Sequence, residues 1–271
     1  MKFSAWFCIF AAAALTACET VQTTQGGVVG VERRQSMSSL ISASQIDRSA
    51  AEAYGKVISE AGKKNQLNRD SAQVERVRAV ANRLIPNTAA FRADAPRWSW
   101  EVNVITSPEV NAWCMPGGKI AVYSGLLTKL NPTDEELAAV MGHEIAHALR
   151  EHGRERASEQ MAQRIGVSVL STALGLGDVG AQLTQTVLQV TLSLPHSRIH
   201  ETEADRIGVE LAARSGYDPR AAVSLWEKMG KLGGGKPPEW MSTHPSDQTR
   251  IRDLQNYSER VAPLYEAARR R

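Results

Sequence analysis

Cysteine is scarce in this chain: three of 271 residues, at positions 8, 18 and 114. Cys8 and Cys18 fall within and at the end of an N-terminal apolar stretch. The body therefore holds Cys114 alone, and no disulfide framework can brace it. An excess of one charge is equally lacking. The 32 Lys and Arg against 29 Asp and Glu leave a net charge of +3. No basic stripe interleaved with aromatic residues is present, which excludes nucleic acid as a partner. The basic end Arg269-Arg270-Arg271 reads as a solvated tail. After residue 18 no uninterrupted apolar run is long enough to cross a bilayer; the stretch Ile165 to Leu176 is too short and broken. No internal repeat is visible. What remains is an ordinary globular composition, 42% apolar and 23% charged, with ample length to bury a core.

The N-terminus carries an address. Lys2 precedes an apolar run from Phe3 to Leu15, broken only by Ser4, and the segment closes as Leu15-Thr16-Ala17-Cys18. A basic start, a short apolar core and small residues before a cut describe a secretory signal peptide over residues 1–17. Its last four residues resemble a bacterial lipobox, which makes Cys18 the lipid-bearing N-terminus of the mature chain. Several acyl chains on one residue anchor a protein stably. Glu19 follows where an aspartate would favour the inner membrane, so the expectation is the periplasmic side of the outer membrane. Residues 18–45, rich in Thr, Gln, Gly and Ser, read as lipid anchor and flexible linker. Residues 46–271 are then the working domain.

Within that domain the stretch 134–151 is the most informative. Thr133 followed by Glu136 is a capping box, and Asp134, Glu135 and Glu136 put negative charge at the positive end of a helix. The helix body contains His143-Glu144-Ile145-Ala146-His147. Histidines four apart stand one above the other on one helix face. Both can bind one zinc ion, leaving Glu144 beside it as a general base for water.

A second motif follows at Glu201-Thr202-Glu203-Ala204-Asp205. Glu201 and Asp205 share a face. Glu201 would complete a two-histidine, one-carboxylate ligand set, and Asp205 would accept the free ring N–H of a ligating histidine. Glu203 points away, and is the alternative ligand if the helix is rotated. His152, His196 and His200 fit no ligand position and read as surface or packing residues. Cys114 reads as a buried apolar cysteine.

Periodicity places two helices over 46–85, broken near 62–68, and a loop over 86–96. Strict alternation from Trp98 to Val104 predicts a strand, pairing with a second extended segment at 117–124. Residues 154–194 are helical in character with a glycine-rich break at 175–180. They pack on the core or cover the cleft. Further helices are expected from near Ile199, over Ala221 to Met229, and at the C-terminus to about Ala268. The fold class expected is α+β, mostly α, with a small sheet beside the HExxH helix.

HExxH, ExxxD and a trailing His244-Pro245 with Arg250 together resemble metallopeptidase family forty-eight, of gluzincin type. The resemblance covers roughly residues 70–255, and Asn111-Ala112 ahead of a strand agrees with it. It implies one zinc per chain held by His143, His147 and Glu201, with Glu144 as base and Asp205 behind the ligands. It implies that His244 stabilises the oxyanion, and that Asn111, Ala112 and Arg250 meet a peptide substrate bound as an added strand. Some members of that family carry transmembrane helices. The absence of any in this body implies a lipidated periplasmic member acting on misfolded or misassembled envelope proteins. The competing expectation is a latent or non-catalytic lipoprotein that assists outer-membrane protein assembly. Nothing in the chain sets an oligomeric state.

Overall fold

The computed structural model describes residues 18–168, 179–232, 238–245 and 248–270. Residues 1–17, where a signal peptide is expected, and most of the glycine-rich break lie outside them.

Capping side chains start the first two helices. Ser42 caps α1 (Ala43–Lys63) in a reciprocal box with Gln45, and Asp70 caps α2 (Ser71–Leu84) through the Gln73 amide. Asn65 and Asn68 between them adopt positive φ, a conformation asparagine tolerates well. The expected loop at 86–96 is instead two 3-10 turns, Ile85–Ala90 and Ala95–Arg97, each with a proline near its start.

Three strands form the sheet beside the HExxH helix: β3 (Glu101–Ile105), β4 (Ala112–Met115) and β5 (Lys119–Tyr123). The order is β3-β5-β4, with β3 parallel and β4 antiparallel to β5. The two strands expected from alternation do pair. The first begins at Glu101 rather than Trp98, because Trp98 closes the preceding 3-10 turn, its amide donating to the Ala95 carbonyl at 3.0 Å. Strand β4 escaped notice because all four of its residues are apolar and all four are buried, so no alternation marks it.

The remaining helices are α3 (Asp134–Leu149), α4 (His152–Ser168), α5 (Val179–Leu192), α6 (Arg198–Arg214), α7 (Ala221–Leu232), α8 (Glu239–Thr243) and α9 (Gln248–Arg269). Helix α3 is the centre of the molecule, packed against β4, α2, α6 and α7. Every residue from Glu136 to Leu149 is buried. Its start is the expected box, with Thr133 Oγ1 accepting from the Glu136 amide and Glu136 from the Thr133 amide. The architecture is α+β and mostly helical. Among the described residues no helix is long and apolar enough to cross a membrane.

The flexible linker expected over 18–45 is a folded ribbon. Strand β1 (Cys18–Val21) pairs antiparallel with β2 (Gln35–Ser38), and Val29, Val31, Met37 and Ile41 are buried. Gly27 sits at φ 63°, and a Cβ there would fall 2.5 Å from Glu210 Oε2. The adjacent Val29 amide donates to that same oxygen at 2.9 Å. Glycine here serves a left-handed turn and a close approach, not slack. The polar residues are bonded into the body: Gln35 Nε2 donates to the Arg150 carbonyl at 2.7 Å.

Candidate metal and catalytic site

The two motif helices meet where each carries a glycine. A Cβ on Gly208 of α6 would lie 2.7 Å from the backbone nitrogen of His143, and one on Gly142 of α3 would lie 2.9 Å from the Gly208 carbonyl. Only glycine permits this approach. It brings His143 and His147 on α3 against Glu201 and Asp205 on α6.

The ring Nε2 atoms of His143 and His147 stand 3.0 Å apart. Glu201 faces both, with Oε2 3.6 Å from His143 and Oε1 3.4 Å from His147. All three side chains are buried. Glu201 Oε1 has no hydrogen-bond partner, which is costly for a buried carboxylate. His244 adds a fourth atom. Its Nε2 is also buried and unpartnered, and the ligand atoms of His143, His147, Glu201 and His244 all lie within 4.8 Å of one another. Orphaned lone pairs converging on one point fit a divalent cation with nitrogen and oxygen preferences.

The opposite nitrogens of the two α3 histidines are both held. His143 Nδ1 lies 2.9 Å from Asp205 Oδ1. With Nε2 turned to the metal position, Nδ1 carries the proton and donates it to the carboxylate. Asp205 is in turn gripped by Arg250, whose Nε and Nη2 donate to its two oxygens at 2.7 Å each. Burial raises the Asp205 carboxyl, but Arg250 and His143 outweigh it and hold the group at about 2. Arg250 also reaches Glu201 Oε2 at 2.7 Å and the Pro245 carbonyl at 2.8 Å. It was expected to meet substrate; the structure turns its guanidinium to these two carboxylates and the backbone.

His147 Nδ1 lies 2.8 Å from His152 Nδ1, and His152 Nε2 lies 3.0 Å from Glu203 Oε2. His152 is fully buried and His200 is 4% exposed, so neither is a surface residue. Burial lowers the pKa of His152 and His147 well below the ordinary histidine range, so both rings are neutral. Glu203 is not a metal ligand; it anchors His152.

Glu144 is 4% exposed and accepts a hydrogen bond from Trp240 Nε1 at 2.6 Å. Burial is the main cause that pushes its carboxyl up to about 7. Sequence reasoning missed Trp240, because a lone tryptophan after Pro237-Pro238 carries no spacing signal. His244 follows just past the end of the same short helix, α8. Its Nδ1 faces the Trp240 carbonyl at 3.0 Å, and burial lowers its pKa to about 4. The neutral ring therefore offers Nε2 as a lone pair, not as the donor an oxyanion requires.

The Asn111 side chain accepts from the Ala112 amide at 2.9 Å, and Ala112 begins edge strand β4, buried against α3 and α5. Cys114 on that strand is buried, which raises its thiol pKa, as does the nearby Glu144 charge. It is an inert thiol.

An HExxH helix crossed by an ExxxD helix, with imidazoles and a carboxylate converging between them, defines a gluzincin-type metallopeptidase centre. The model of Peptidase family M48 matches residues 71–258, and the chain belongs to that family. It is similar to the mitochondrial metalloendopeptidase OMA1 of Arabidopsis thaliana, 43% identical over 156 residues, covering 58% of this chain and 31% of that protein. It is 34% identical over 206 residues to the mitochondrial metalloendopeptidase OMA1 of Bos taurus, covering 71% and 38%. The beta-barrel assembly-enhancing protease of Yersinia pestis is 29% identical over 204 residues, covering 72% and 40%. The chain matches less than half the length of each of these relatives.

Proposed function

We propose that this chain is a zinc-dependent endopeptidase, lipid-anchored through Cys18 on the periplasmic side of the bacterial envelope. Its substrates on this reading are misfolded or misassembled envelope proteins. The observation that carries the catalytic part is the buried, unpartnered Glu201 Oε1 facing two imidazole nitrogens, with Glu144 beside them. The envelope part rests on the Leu15-Thr16-Ala17-Cys18 segment and on the relative named for β-barrel assembly. Both bacterial and mitochondrial relatives match, so the peptidase activity is supported more broadly than the address.

His143, His147 and Glu201 would hold the ion. When bound, zinc polarises the scissile carbonyl and acidifies water. Glu144, with a pKa near neutrality, takes the proton from the attacking water and returns it to the leaving amine. Trp240 fixes the Glu144 carboxylate by its N–H bond. Asn111 and Ala112 would meet the peptide at the edge of β4, which α5 covers in this structure.

Metal content and casein cleavage by residues 18–271 and the Glu144→Gln variant test this. One zinc per chain in both, with cleavage falling at least about 1,000-fold in the variant, is expected. Absence of stoichiometric metal in the parent overturns it.

His244 favours a second reading, a latent peptidase. Its Nε2 occupies a fourth ligand position, where catalytic zinc keeps an opening. His244→Ala should then raise cleavage, whereas a fall would return His244 to oxyanion stabilisation. Zinc without cleavage in any variant would favour a non-catalytic assembly factor.

A further inference from the structure

The support behind His147 reaches far outside the family-matched region. Glu203, which holds His152, lies beside Glu155, and both carboxylates are bridged by Arg33 on the ribbon between β1 and β2. Arg33 Nε and Nη2 donate to Glu203 at 2.7 and 3.0 Å, while Nη1 and Nη2 donate to Glu155 at 2.6 and 2.9 Å. Four hydrogen bonds from one planar fork to two carboxylates fix their mutual orientation, which a lysine could not do. The ribbon is itself clamped to the end of α3. Arg150 Nη2 donates to the Arg33 carbonyl at 2.9 Å and Arg150 Nε to Glu203 at 3.1 Å, while Gln35 bonds Glu155 at 2.7 Å.

His152, Glu155 and His200 also lie close enough to hold a second metal ion. The charges argue otherwise. Glu155 already accepts from Arg33, Gln35 and His200, and a guanidinium on both of its oxygens leaves no negative field for a cation. The cluster is a relay that ends on a metal ligand, not a second centre.

We infer that Arg33 is a positioning residue of the metal centre, setting the His147 ring through Glu203 and His152, so that residues 18–38 are part of the site. This rests on the reading of His143, His147 and Glu201 as metal ligands. Partners behind a ligating histidine fix its tautomer and ring plane, and their loss typically weakens metal binding about 10- to 100-fold.

The test uses the 18–271 chain and the variants Arg33→Met, Arg33→Lys and Arg34→Met, the last on an exposed neighbour that bonds only the Thr20 carbonyl among the described contacts. Zinc affinity is measured by chelator competition, and the thermal midpoint is recorded with and without zinc. Arg33→Met should bind zinc about 10-fold or more weakly and show a smaller zinc-induced rise in midpoint, with a shifted visible spectrum when cobalt replaces zinc. Arg33→Lys should lose several-fold, and Arg34→Met should match the parent. A purely structural arginine would lower both midpoints equally and leave affinity and spectrum unchanged, and that result overturns the inference. If Arg33→Met does not fold, Arg33→Lys is decisive in the same way: parent-like affinity and spectrum refute the role. A parent that binds no zinc would instead refute the metal-ligand reading itself. Two zinc ions per parent chain would refute the relay in favour of a second centre at His152, Glu155 and His200.

Discussion

The two histidines of α3 sit one turn apart and present the same atom to the same point, yet they are held in different ways. His143 leans on one carboxylate, Asp205, backed by one guanidinium, Arg250. His147 leans on a second histidine, then Glu203, then two arginines on separate segments. The first support lies on the second motif helix and on α9, inside the matched region 71–258. The second draws on residue 33, outside it. A short support made of full charges is strong and local. A long one made of neutral rings is weaker at each step, but ties the metal position to a distant part of the chain.

Breaking the short support should cost most. Asp205→Ala removes the His143 acceptor and strips a buried arginine of its bidentate partner, so about 3–5 kcal/mol of stability should be lost along with zinc affinity. Chemical denaturation with and without metal reads both. Gly208→Ala strikes the crossing that both supports share. Its methyl would press on the His143 backbone, and a loss of about 1–3 kcal/mol is expected in the same assay.

Acid should loosen the short support by a predictable amount. The folded-state pKa of Asp205 is depressed from 3.8 to about 2. Its contribution is therefore complete above pH 4 and lost as pH falls toward 2, about 2 kcal/mol in all. Metal-free protein titrated from pH 5 to 2 should show this slope, and Asp205→Asn should lack it. His152→Gln breaks the long support at its middle. It should weaken zinc binding about 10-fold, some 1.4 kcal/mol, with less effect on the metal-free fold. Equal losses for Asp205→Ala and His152→Gln would erase the contrast.

The short support was legible in the sequence because helical spacing puts His143 and His147, and Glu201 and Asp205, on defined faces. The capping box at Thr133 and Glu136 was equally plain. The long support was not. His152 stands five residues after His147, beyond the end of α3, where Glu151 takes φ 51° and turns the chain; no helical period predicts where it points. Arg33 lay in a segment whose glycines and small polar residues resemble a linker, and only the turn at Gly27 and the seat on Glu210 show why those residues are there. Arg250 was visible as a residue, but its destination required the fold.

The ribbon has a last consequence, concerning reach. A coil of residues 19–45 would let the body wander roughly 30 Å from its point of attachment. Instead β1 starts at Cys18 itself, and Glu19 is already paired with Arg154 at 3.1 Å. If Cys18 carries lipid, the enzyme has no leash. On that proposal it would ride against the bilayer like a keel, with its orientation set by the first residues of the fold, and would reach only what is delivered to that surface.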